Sequence, residues 1–154
     1  MMIVARYLDG RVVKGRTTDF HPENDSFVVD VNAELPSERL SMKDMKALFF
    51  VRSLEGNPQR RDHREFPKGT ALRTKLWLEF RDGEQMAGWP VSAALGKKGF
   101  YVLPTDPDSN VEKAYVFRES LSRILEGKAA ESAARAASSV RKVSSEFAVG
   151  DMRF

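Results

Sequence analysis

The stretches YLDGRVVKG (residues 7–15) and FRDGEQMAG (residues 80–88) share one pattern: an aromatic, one residue, Asp-Gly, four residues, Gly. Asp-Gly between extended runs is a strong hairpin signal, because glycine accepts the positive φ of a tight turn. A further glycine inside the following strand marks a bend or a close backbone approach. At the same offset of 73, Val4-Ala5-Arg6-Tyr7 falls on Trp77-Leu78-Glu79-Phe80, and Phe27-Val28-Val29 on Phe100-Tyr101-Val102. A two-residue slip then sets Leu40 to Asp44 on Tyr115 to Glu119, and Phe49 on Ile124. Residues 3–51 and 76–126 read as one unit used twice. Agreement of glycines, aromatics and apolar runs over about fifty positions is a repeat signal that a lone Asp-Gly pair is not.

Each unit contains a hairpin and three further strands, expected at 27–31, 39–43 and 47–51, then at 99–104, 114–118 and 121–125. Two architectures fit: a small five-stranded barrel per unit, or two halves of one larger sheet. Short, strongly bent strands favour the barrels. The expected fold is therefore mainly β, two small five-stranded barrels in tandem with a C-terminal α-helical tail. The segments are 1–54 (first barrel), 55–73 (basic linker), 74–126 (second barrel) and 127–154 (Ala/Ser-rich helical tail). Two prolines, two glycines and dense charge in LEGNPQRRDHREFPKGTALR (54–73) mark the linker.

The composition is 42% hydrophobic and 31% charged over 154 residues, that of a soluble globular protein. No cysteine is present, which excludes disulfides, thiol catalysis and cysteine-based zinc sites. His21 and His63, the two histidines, have no metal-ligand spacing. No apolar run reaches the ~18 residues of a membrane span, and MMIVARYLDG lacks a signal-peptide pattern, so a cytoplasmic protein is expected. The net charge of +3 permits nucleic-acid contact without requiring it. Nucleophile-elbow, Walker A and dinucleotide glycine motifs are missing, so neither an enzyme nor a cofactor is expected.

The first unit, through VARYLDGRVVKGRTTDF and FVVDV, resembles the Sm-like fold. The second half, through EFRDGEQMAGW, GFYVLPTDPDSN and VFRESLSRI, with FFVRSLEGNP before it, resembles an uncharacterised bacterial domain family built on such repeats. That resemblance implies a non-enzymatic module often attached to signalling proteins. RNA-binding Sm proteins use an Asp and an Asn in one loop and an Arg-Gly pair between the last strands. Here those positions hold His21 and Asp25 (or Asn24), then Lys43-Asp44 and Arg118-Glu119, so the usual RNA pocket is not carried over.

Several residues remain as candidate binding groups. Arg60, Arg61 and Arg64 lie in the linker, and Arg60-x-x-x-Arg64 resembles the arginine motif of PilZ-type cyclic diguanylate receptors, without their downstream partner motif. Interleaved Asp62 and Glu65 favour a solvated loop instead. TDPDSN (105–110) reads as a capped turn rather than a cation loop. Among Trp77, Trp89 and Phe100, Trp89 between Gly88 and Pro90 is the one expected to be partly exposed. In the tail, Ala129, Ala133, Ala136, Val140, Val143 and Phe147 form an apolar helical stripe, and Phe154 closes an apolar end.

The reading that follows is a non-catalytic bacterial adaptor, meeting a protein partner or a second copy of itself through the barrels and the tail. The alternatives are an RNA-binding Sm-like protein with non-standard site residues and, behind it, a cyclic dinucleotide sensor.

Overall fold

The computed structural model describes residues 1–57, 59, 63–70 and 73–143, with the side chains of 139–143 left aside. These residues form ten strands: β1 Met2–Tyr7, β2 Val12–Arg16, β3 Ser26–Val29, β4 Glu38–Ser41, β5 Met45–Val51, β6 Leu76–Phe80, β7 Gln85–Pro90, β8 Gly99–Pro104, β9 Val111–Phe117 and β10 Leu121–Glu126. A 3-10 turn, Arg118–Ser120, joins β9 to β10, and helix α1 spans Lys128–Val143.

Eight strands form one antiparallel sheet in the order β10-β6-β7-β8-β9-β5-β1-β2, and β3 pairs β4 beside it. A single bridge, Arg16 to Asp30, links β2 to the β3–β4 hairpin. The strands of residues 2–51 and those of residues 76–126 follow one another in the same sequence along this order. The second unit runs β10-β6-β7-β8-β9, and the first runs β5-β1-β2, then across the bridge to β3-β4. The expectation of two separate closed barrels is corrected here. The units share one continuous sheet, because β5 of the first pairs β9 of the second over Ala47–Val116, Leu48–Tyr115 and Phe49–Ala114.

By strand register the slip between the two segments is three residues, where two were expected. Phe27 faces Leu40 and Phe100 faces Val116; Tyr7 faces Met45 and Phe80 faces Leu121. Leu40 thus corresponds to Val116, Met45 to Leu121 and Phe49 to Leu125. A one-residue error of this kind turns every side chain of a strand to the opposite face.

The run MKALFFV of β5 is buried throughout, as a strand covered on both faces requires. Ala47, Phe49 and Val51 enter a core with Leu76, Leu78, Phe80 and Val102 of the second unit. Met45, Leu48 and Phe50 enter the other core, with Phe27, Val29 and Leu40 of the first unit and Tyr115 and Phe117 of the second. Each core therefore draws on both units.

Both hairpin turns carry a glycine in the positive-φ region, Gly10 at 95° and Gly83 at 92°. The later glycines are needed for close approach. A Cβ at Gly15 would overlap Val29 and the Asp30 carbonyl, and one at Gly88 would overlap Val102 and the Leu103 carbonyl.

Candidate functional site

The two Asp-Gly turns have different roles. Asp9 caps its own turn, its Oδ1 accepting from the Arg11 amide at 2.8 Å. Asp82 caps its turn in the same way, its Oδ1 accepting from the Glu84 amide at 3.0 Å, but Asp82-Gly83-Glu84 also docks onto the first unit. The β1–β5 register shifts between Arg6 and Tyr7, leaving Lys46 as the extra residue of a bulge. Lys46 is buried, and its Nζ lies 2.6 Å from Asp82 Oδ2, 2.9 Å from Glu84 Oε1 and 5.0 Å from the Phe80 ring centre. Arg6 Nη1 stands 3.7 Å from Glu84 Oε2. Burial pushes the Asp82 carboxyl up, but the Lys46 hydrogen bond, the Glu84 amide and the fields of Lys46 and Arg6 together hold it below its ordinary range. On the same seam the Ser120 hydroxyl donates to the Lys46 carbonyl at 2.9 Å.

Among the described linker residues, His63, Arg64, Phe66 and Arg73 pack against the second unit. Arg64 is buried, donates from Nη1 to Gln85 Oε1 at 2.9 Å and lies 5.4 Å above Trp77. Arg73 stacks at 3.9 Å over Trp89, which Phe66 meets edge-on at 5.1 Å. Trp89 is consequently 5% exposed, which corrects the expectation of partial exposure. TDPDSN is a tie for this linker: the buried Asp106 accepts from the Asp108 and His63 amides, and the Thr105 hydroxyl donates to the His63 carbonyl. Arg60 and Arg61 lie outside the described residues, and with them the geometry of the Arg60–Arg64 pair.

Helix α1 follows Gly127, whose φ is 61°. It is pinned by the buried Lys75, 3.1 Å from Glu131 and donating to the Thr70 carbonyl at 2.7 Å. Ala130 and Ala134 are its buried contacts, set against Trp77 and Ala87 with Phe66 and Ala137 alongside. The expected stripe is corrected by about one residue: Ala129 and Ala136 are exposed and Ala133 is half-buried. Val140 and Val143 belong to the helix by backbone only, and Phe147 and Phe154 lie outside the described residues. No helix among the described residues is long and apolar enough to cross a membrane.

Sequence reasoning passed over a cleft of about 660 Å³ on the seam. Leu8, Asp25, Lys43 and Asp44 line it from the first unit, and Arg81, Lys97, Lys98 and Glu119 from the second. Its corners are built alike, the Leu8 amide donating to the Asp44 carbonyl at 3.0 Å and the Arg81 amide to the Ser120 carbonyl at 2.8 Å. Asp44 holds a φ of 60°, uncommon for a residue with a side chain. Lys98 Nζ crosses the seam to the Asn24 carbonyl at 2.8 Å. The repeat alignment was the available signal, but the lost residue in its slip misaligned Lys43 and Asp44.

Residues 1–127 match the family of unknown function DUF6982, and the chain belongs to that family. No curated protein and no solved structure matches it.

Proposed function

We propose that this chain is a non-catalytic adaptor of the bacterial cytoplasm that binds protein partners by strand addition. In this reading its two units are Sm-like or SH3-like barrels opened along a shared sheet, and its setting is signalling. One observation carries the reading. The outer edge of β5 is filled by β9, whereas the corresponding strand, β10, ends the sheet with no strand paired on that edge among the described residues. An open strand edge presents unpaired amides and carbonyls that an extended segment satisfies.

The test uses a blocked peptide copying β9, VEKAYVF (111–117), added to the whole protein. Hydrogen exchange at residues 121–126 is expected to slow at least about tenfold, since newly paired amides leave solvent. Unchanged exchange under saturating peptide would count against strand addition at this edge.

A second reading, RNA binding through non-standard residues, is favoured by Lys43, Arg81 and Lys97. They line the cleft with no ion partner among the described residues. Its test is the salt dependence of single-stranded RNA binding by fluorescence anisotropy.

A further inference from the structure

The cleft on the seam is lined by matching positions of the two units, and at two of these positions the charge is exchanged. Leu8 corresponds to Arg81 and Asp25 to Lys98 at the offset of the hairpins, and Lys43 to Glu119 at the offset of the later strands. Asp44 and Lys97 add one further charge to each side. The first unit's wall therefore carries Asp25, Asp44 and Lys43, and the second unit's Arg81, Lys97, Lys98 and Glu119. One wall is net acidic and the other net basic. Neither wall's charge is consumed by the opposite one, because no ion pair within the described residues joins them. A purely anionic ligand meets Asp25 and Asp44, and a purely cationic one meets Arg81 and Lys97. A dipolar ligand satisfies both walls at once.

We infer that this cleft binds a short peptide segment with acidic residues at one end and basic residues at the other, its acidic end on Arg81 and Lys97. The inference rests on the protein-binding reading above and names the partner's chemistry at a second surface. A volume of about 660 Å³ falls within the range of small-ligand sites and admits a few residues of such a segment. The site exists only in the tandem, since each wall comes from a different unit.

Amide spectra of the whole isotope-labelled protein test this with four probes. They are a blocked heptapeptide with two acidic residues at one end and two basic residues at the other, an all-acidic peptide, an all-basic peptide and octauridylate. The dipolar peptide is expected to shift residues 42–44 and 97–98 together and to saturate, and Arg81→Glu is expected to weaken it at least tenfold. The Arg81 side chain has no partner in the fold among the described residues, so this variant retains its structure; Lys97→Glu is the companion. Three results overturn the inference: the dipolar peptide moves neither wall, it survives both variants, or octauridylate moves both walls more tightly than any peptide does. If the cleft stays silent while the β9 peptide protects residues 121–126, only the cleft inference falls. If both stay silent, the protein-binding reading falls with it.

Discussion

Replacing Lys46 by methionine keeps most of the side-chain volume in the β5 bulge and removes only the ammonium that holds Asp82 and Glu84. Deleting one partner of a fully buried ion pair costs about 3–5 kcal/mol, because the other charge stays buried and unpaired. Here Lys46 is 1% exposed, but the two carboxylates keep 25% and 21% of their side-chain surface. Partial rehydration lowers the expected loss to about 2–3 kcal/mol. With a urea slope of roughly 2 kcal/mol/M, the midpoint falls by about 1–1.5 M. The pH dependence has a definite sign. Asp82 is held below its ordinary range in the folded state. Such a group contributes stability that is complete above its unfolded value near ~3.9 and is lost as pH falls through the folded value. Lys46→Met removes the main support for that depression. The gap between the two proteins should be widest near neutral pH and should narrow below about pH 4. Urea titrations at several pH values measure this. A loss under about 1 kcal/mol, or a gap that ignores pH, refutes the role given to this contact. Neutralising all three groups together, Lys46→Met with Asp82→Asn and Glu84→Gln, should recover part of the loss.

Three further predictions concern the two strand glycines, the helix and the sheet edge. Gly15→Ala and Gly88→Ala should each destabilise by about 1–3 kcal/mol in thermal or urea unfolding, since the added methyl meets neighbouring backbone in both units. Ala134→Leu should overpack the α1 contact on Trp77 and lower stability by about 1–3 kcal/mol, whereas Ala136→Leu on the exposed side should stay within about 0.5 kcal/mol. Arg123→Ala removes two hydrogen bonds to Glu79, at 3.0 and 2.8 Å, on an exposed edge. It should leave the urea midpoint nearly unchanged, because solvent screens this exposed pair; a clear fall in the midpoint would overturn that reading.

Much of the fold is legible in the two opening stretches. Asp-Gly and the later glycine place both hairpins, and they are found at β1–β2 and β6–β7. The edges of β8 agree with the expectation at 99–104. What sequence could not supply was the joining of the units. The run Ala47-Leu48-Phe49-Phe50-Val51 is strand-sized in either architecture. Its burial on both faces distinguishes a central strand of a shared sheet from one wall of a small barrel. Lys46 was unreadable for the same reason: a lysine beside that run reads as a solvated end until the bulge turns it onto Asp82. Trp89 reads as exposed between glycine and proline because its cover, Arg73 and Phe66, comes from a linker whose charge suggests solvent. In the helix, Ala130, Ala133, Ala134 and Ala137 also have helical spacing. With alanine at nearly every candidate position, periodicity alone does not choose the buried face.

Shared cores and a shared sheet make residues 2–51 and 76–126 a single cooperative structure. Both tryptophans, Trp77 and Trp89, lie in the second unit, so fluorescence during urea unfolding reports that unit. Pulsed hydrogen exchange of residues 2–7 and 26–29 reports the first. Shared cores and the β5–β9 pairing predict coincident midpoints, as for one two-state transition. Two separate transitions, with the first unit still protected after the tryptophan signal is lost, would contradict the account.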